Sequence, residues 1–137
     1  MLMTVIFTVA YQLIEGSDSL NTKVVTTEEG NFLMRKIDWA QTGLDNSANP
    51  TIGGSGCAKT LTFTNANFIS NPIVIRINTI NSVKYVEIKE GASPYFALTT
   101  ENVKISCLNF SLIPASGNSP LGIKTTITLN GNDFSIT

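Results

Sequence analysis

The chain has 137 residues, 42% of them hydrophobic and 14% charged, which is the size of one ordinary domain with enough apolar content for a continuous core. Nine Lys and Arg against ten Asp and Glu leave a formal net charge of -1, and the bases are scattered apart from Arg35-Lys36, so no basic stripe exists to neutralise phosphates and nucleic acid is excluded as the main partner. Histidine is absent, which removes Ser-His-Asp and Cys-His nucleophile systems, His-ligated zinc and the commonest general base at neutral pH.

The first apolar run, residues 1–14, lacks the positive n-region of a signal peptide and leads into Glu15-Gly16-Ser17-Asp18 rather than a small-residue cleavage site. It is also too short to span a bilayer, so no membrane partner is expected. Val5, Phe7, Val9, Tyr11 and Leu13 alternate with Thr4, Thr8 and Gln12, which predicts a first β-strand over 3–14. Further alternating runs predict strands at 23–27, 32–39, 58–64, 73–79, 83–89, 94–99, 103–112, 123–129 and 133–137, rich in the Ile, Val, Thr and Phe that strands favour. No window shows convincing helical spacing. Turn signals fall between the runs at Glu29-Gly30-Asn31, Thr79-Ile80-Asn81-Ser82, Glu90-Gly91 and Asn130-Gly131, the last being the usual type I′ hairpin pair.

The expected fold is therefore all-β, an antiparallel β-sandwich or jelly roll with little or no helix, folded as one domain over 1–137. The polar, glycine-rich stretch 42–57 should be an exposed loop or an arm reaching a neighbour, and 114–122 a second loop. Both ends should be tied down, either within the domain or against another subunit.

Gly53-Gly54-Ser55-Gly56-Cys57-Ala58-Lys59-Thr60 approaches the phosphate-cradling P-loop, with Ala58 in place of its second fixed glycine. A P-loop needs a strand before and a helix N-terminus after, whereas Leu61-Thr62-Phe63-Thr64 alternates as a strand, so a loop entering a strand is the better reading. Asp45-Asn46-Ser47-Ala48-Asn49 offers oxygen ligands for calcium at alternate positions, yet such loops more often satisfy their own backbone. No catalytic residue, cofactor or metal site is assigned. Paired carboxylates could support glycoside hydrolysis only if two acids faced each other across a cleft, and Glu28-Glu29 reads more simply as a solvated turn. Trp39, Tyr85, Tyr95 and Phe96 are candidates for sugar stacking, against the plainer expectation of core packing. Cys57 and Cys107 pair only if the fold brings them together; otherwise one is a loop thiol and the other a small core hydrophobe.

Within residues 71–131 the sequence runs Asn-Pro-Ile-Val-Ile-Arg-Ile-Asn, Tyr-Val-Glu-Ile-Lys-Glu-Gly-Ala-Ser-Pro-Tyr, Val-Lys-Ile-Ser-Cys-Leu, Pro-Ala-Ser-Gly and Thr-Thr-Ile-Thr-Leu-Asn-Gly. In style this stretch, a little under half the chain, resembles the small β-sandwich modules of tailed-phage virion proteins, such as capsid decoration proteins and head or tail fibre domains. The resemblance implies a structural virion protein, often trimeric, seated on a lattice through loops and termini.

Low charge, a long polar arm and an apolar first segment suit the same role independently, since a strand such as Val5 to Leu13 can pair with a neighbour's open sheet edge. The expectation is a non-enzymatic capsid-associated or decorating subunit, located in a virion assembled in the host cytoplasm. Its partners would be a major capsid protein or copies of itself, as in a trimer, met through Val5, Phe7, Val9, Tyr11, Leu13, Asn49, Pro50 and Ile52. The alternative is a carbohydrate-binding module of an adhesin or fibre, which should expose Trp39 or Tyr95 in a shallow groove.

Overall fold

The computed structural model describes residues 2–42, 44, 50–65 and 72–137. The chain is mostly β, with two antiparallel sheets, and begins with one long helix, α1 (Leu2–Gln41). One sheet has the order β1-β2-β3-β4-β5, made of β1 (Thr51–Gly53), β2 (Thr60–Phe63), β3 (Ile73–Ile80), β4 (Val83–Glu90) and β5 (Phe96–Ala97). The other is β6-β7-β8, made of β6 (Ile105–Ile113), β7 (Gly122–Leu129) and β8 (Asn132–Ile136). Strand order follows chain order in both sheets.

From residue 58 onward a strand forms in each alternating run, although β5 is only Phe96–Ala97, both exposed, and β4 buries the neighbours Val86 and Glu87. In β7, Ile123, Thr125, Ile127 and Leu129 point inward while Lys124 and its alternates face out. The expected hairpins form where their turn chemistry stands. Asn81 and Ser82 at φ 51° and 67° join β3 to β4, and Asn130 and Gly131 at φ 48° and 79° join β7 to β8.

The expectation of little or no helix is overturned: the strands placed at 3–14, 23–27 and 32–39, and the turn at Glu29-Gly30-Asn31, all lie inside α1. In the second half of the helix the buried positions are Thr26, Gly30, Leu33, Met34, Ile37 and Ala40, spaced by three and four as one helical face requires. Two of them, a threonine and a glycine, are not apolar, so the helical period is weakly written. Glu28, Glu29, Leu33, Met34, Arg35, Lys36 and Ala40 are good helix formers, whereas Val5, Ile6, Thr8 and Val9 prefer strands. Alternation along 5–13 was a misleading signal, because Ile6, Ala10 and Ile14 are also apolar and fill the gaps.

Leu33, Met34, Ile37 and Ala40 of α1 join Leu61, Phe63, Ile73, Ile75 and Val86 of the first sheet and Ile105, Leu108, Phe110, Ile123, Ile127 and Leu129 of the second in one buried cluster. The helix touches β7 and β8 directly. Its C-terminal end is capped from a distance: the buried Asn65 amide donates to the carbonyl oxygens of Ala40 (2.8 Å) and Thr42 (2.7 Å), groups that a helix end leaves without intrahelical donors.

A bulge in β6 resolves the position of the cysteines. The register steps from Ile105↔Leu129 to Cys107↔Thr128, leaving Ser106 as the extra residue. That shift allows both Ile105 and Leu108 to be buried and turns Cys107 away from the core. Residues 57–59 run parallel beside it, with Leu108 N donating to Cys57 O at 2.9 Å and Lys59 N to Leu108 O at 3.2 Å. Cys57 and Cys107 are joined as a disulfide, with a Cα–Cα distance of 4.4 Å. The chain leaves this clamp directly into β2, so the bridge ties one sheet to the other. The cross-link closes a loop of 50 residues' separation, for which chain entropy predicts a contribution of about 4 kcal/mol. Cys57→Ser is expected to lower the denaturation midpoint accordingly, measured by urea unfolding with and without reductant; an unchanged midpoint would refute a structural role for the bridge.

Candidate functional site

The feature that sets this chain apart from a self-contained β domain is the first half of α1. At 1.5 Å per residue the whole helix is about 60 Å long, but only its second half is seated. Five side-chain contacts hold that half. Asn130 Nδ2 donates to Thr26 Oγ1 at 2.7 Å, and Thr26 itself donates back to the Thr22 carbonyl. Thr100 donates its backbone N–H (3.1 Å) and its hydroxyl to the Glu29 carboxylate. Gly30 lies against the Phe134 ring so closely that a β-carbon there would stand 2.5 Å from it. Gln41 Nε2 donates to the fully buried Thr125 at 3.1 Å, and Asn65 caps the end.

Before Val25 every helical residue with a described side chain is exposed. Val5 (63%), Phe7 (73%), Tyr11 (65%) and Leu13 (69%) are accompanied by Ile6, Val9, Ile14, Leu20 and Val24. Successive residues lie about 100° apart around a helix, so Val5, Ile6, Phe7, Val9, Tyr11, Leu13 and Ile14 surround most of the circumference. The remaining strip carries Thr8, Gln12 and Glu15, spaced four and three. It continues the line that Thr22, Thr26, Gly30, Leu33 and Ile37 occupy under the sheets. The face turned toward the head is thus polar where the head ends, and the other faces are apolar. A helix apolar on most sides is normally surrounded by other apolar segments, and a patch of this size marks an interaction surface. No described helix is long and apolar enough to cross a membrane.

The sequence-predicted residues divide accordingly. Val5, Phe7, Val9, Tyr11 and Leu13 are exposed together, but on a helix instead of a strand. Pro50 and Ile52 are half-buried; Ile52 packs against the core within β1, so this part of the 42–57 arm belongs to the first sheet. Asn49 and the 45–49 calcium loop lie outside the described residues. Trp39 does not share a strand face with Leu33 and Ile37; it stands 55% exposed on the outer side of α1, with the Lys36 ammonium 5.7 Å from its ring and from that of Phe32. Phe96 is 68% exposed on β5. Both corrections have one cause: a helix and a two-residue edge strand present outward what a longer strand would bury. Tyr95 is half-buried and its ring is covered by the Arg76 guanidinium at 3.6 Å.

Arg76 also pairs with the buried Glu87 at 3.3 Å, and Asn78 donates to the same carboxylate at 3.1 Å. This group is satisfied within itself and joins β3 to β4. The 53–60 glycine segment follows β1, passes through Gly54 at φ 82° and enters β2 with no helix after it, which is not the context of a P-loop. Among the described residues no three potential metal ligands cluster. A cavity of about 310 Å³ between Val83 and Val103 holds one acid, Glu101, beside Lys84 and Lys104. Comparison with protein-family models, curated proteins and solved structures finds no match.

Sequence reasoning missed that only half of one helix is seated. The signal was present in Thr26-Gly30-Leu33-Ile37-Ala40, but needed a small residue to be read as a contact position. Gly30→Leu is expected to destabilise the chain by about 1–3 kcal/mol through overpacking, and to do so far less in a Phe134→Ala background. Equal effects in the two backgrounds, measured by chemical denaturation, would show that the ring does not set the helix seat.

Proposed function

We propose that this chain is a non-enzymatic structural subunit of a multi-subunit assembly, a β head carried on a helix whose bare first half packs among the same segments of other copies. One observation carries the reading: the large apolar side chains of 5–14 surround most of the helix and each is more than half exposed. About 15 Å of such helix suits a core built of several helices better than a groove in a single partner, which would cover one face. A helix also satisfies its own backbone hydrogen bonds, so β-branched residues such as Val5, Ile6 and Val9 are tolerated in it once neighbours exclude water.

In this reading the two sheets act as a sandwich-like head, and a virion remains one setting for it. The geometry favours a fibre or other helical core over a subunit seated flat on a capsid through loops. The disulfide supports assembly in an oxidising compartment rather than the host cytoplasm. For the carbohydrate-binding alternative, the exposure of Trp39 is the one favourable observation. It sits on a convex helix surface, while the Tyr95 face that could stack on sugar is occupied by Arg76.

Light scattering of the full chain over a concentration series tests the proposal. The wild type is expected to form oligomers, and Phe7→Glu with Leu13→Glu to weaken association at least about tenfold, since each buried side chain of this kind is worth roughly 1.5–3 kcal/mol. Thermal unfolding of the head should not change. A wild-type chain that stays monomeric throughout would defeat the reading.

A further inference from the structure

The edge of the first sheet is left open at one end of β4. The two-residue turn at Asn81 and Ser82 makes Ile80 and Val83 the closing hydrogen-bonded pair of the β3–β4 hairpin, so Lys84, Val86 and Ile88 turn their backbone N–H and C=O groups away from β3. Val86 uses both groups: Leu98 N donates to its carbonyl at 2.7 Å, and its own N–H donates to the Thr99 hydroxyl at 3.0 Å. There the chain leaves β4, and the N–H and C=O of Lys84 have no partner among the described residues. Between this open end and residues 101–105 lies the cavity of about 310 Å³. Val83, Val103 and Ile105 give it an apolar lining, the last two from the core cluster, and the exposed Lys84, Lys104 and Glu101 form its rim. None of these three charged groups forms an ion pair among the described residues, so two ammonium groups against one carboxylate leave the rim positive. The far wall is already fixed. Thr100 is held by Glu29 of α1, and Lys104 is held by Asn130 through its N–H and its C=O, both at 2.8 Å.

We propose that this cavity binds the acylated, carboxylate-bearing form of an apolar amino acid, the group presented both by a free N-acyl amino acid and by the C-terminus of a peptide. Each part of that group has a counterpart here. An amide of the ligand continues the sheet edge by pairing with the N–H and C=O of Lys84. The carboxylate is drawn to the surplus positive charge of Lys84 and Lys104, while Glu101 opposes a second negative charge, so the fit is to a monoanion. The apolar side chain lies against Val83 and Val103. A volume at the lower end of small-ligand cavities suits one residue and its acyl group, and a lining that is mostly apolar with a few convergent polar groups is the usual build of such a site. No residue of 5–24 takes part, so the proposal stands apart from the assembly reading.

Saturation-transfer NMR on the full chain at low ionic strength tests this with N-acetyl-leucine as the probe. A dissociation constant on the order of 1 mM is expected for a ligand this small. N-acetyl-leucinamide, which lacks the charge, should bind at least about fivefold more weakly. Lys104→Gln should weaken binding of the acid about threefold and Glu101→Gln should strengthen it, opposite signs that a general loss of structure does not produce. Lys84→Pro removes the outward N–H while leaving the β3 bonds in place, and should abolish binding where Lys84→Gln only weakens it; near-UV circular dichroism confirms an intact head in each variant. N-acetyl-Gly-Gly-Leu binding at least about threefold more tightly than N-acetyl-leucine would assign the site to a peptide C-terminus, because more of the ligand then lies along the edge, and equal affinity would assign it to the free acylated amino acid. The proposal is overturned if the wild type binds no N-acetyl-leucine at about 10 mM, or if acid and amide bind alike.

Discussion

The contact on which this molecule depends is the seat of α1 on the second sheet. Leu33 and Ile37 enter the common core, Gly30 admits the Phe134 ring, and Thr26 and Gln41 anchor the two ends through Asn130 and Thr125. Because the seat begins at about residue 25, the remainder of the helix projects beyond the head. The sheets alone would leave the inner faces of β7 and β8 uncovered, and the helix alone would be marginal in water, since most helical stability comes from packing. Each makes the other viable, and the projecting half follows from the geometry of the joint.

The disulfide and the β6 bulge serve the same joint from the other side. One extra residue at Ser106 lets Ile105 and Leu108 both enter the common core while Cys107 is bonded to Cys57. The first sheet is thereby fastened to the second at the connection between β1 and β2. Asn65, just after β2, reaches back to the last carbonyls of α1. The helix end, β2 and the bridge thus form one connected region.

From Thr60 onward the strands and the tight turns were legible in the sequence, because a half-buried strand writes its period directly and Asn130-Gly131 permits few other turns. Helix α1 was not. Val5, Phe7, Val9, Tyr11 and Leu13 alternate by coincidence within a segment that is apolar on most sides, and such a segment has no period to read. Farther along, the true contacts include Thr26 and Gly30, which carry no hydrophobic signal. The apolar residues of 5–13 were singled out as a contact surface, and they are exposed together, on a helix instead of a strand. Their geometry depends on a head whose position cannot be read from local sequence. The cysteine pairing was equally hidden, because it depends on a single-residue register shift. Asn65 as a cap could be seen only once the chain returned to the helix end.

The account is tested most directly by hydrogen exchange along α1 as a function of protein concentration. In the dilute chain, amides of 26–41 should be protected to nearly the global stability of the head, and those of 5–24 should exchange rapidly. As concentration rises, protection should appear in 5–24 without change in the strands. Strong protection of 5–24 in the dilute monomer, or none at any concentration, would contradict the division of the helix into a seated half and a half completed by other subunits.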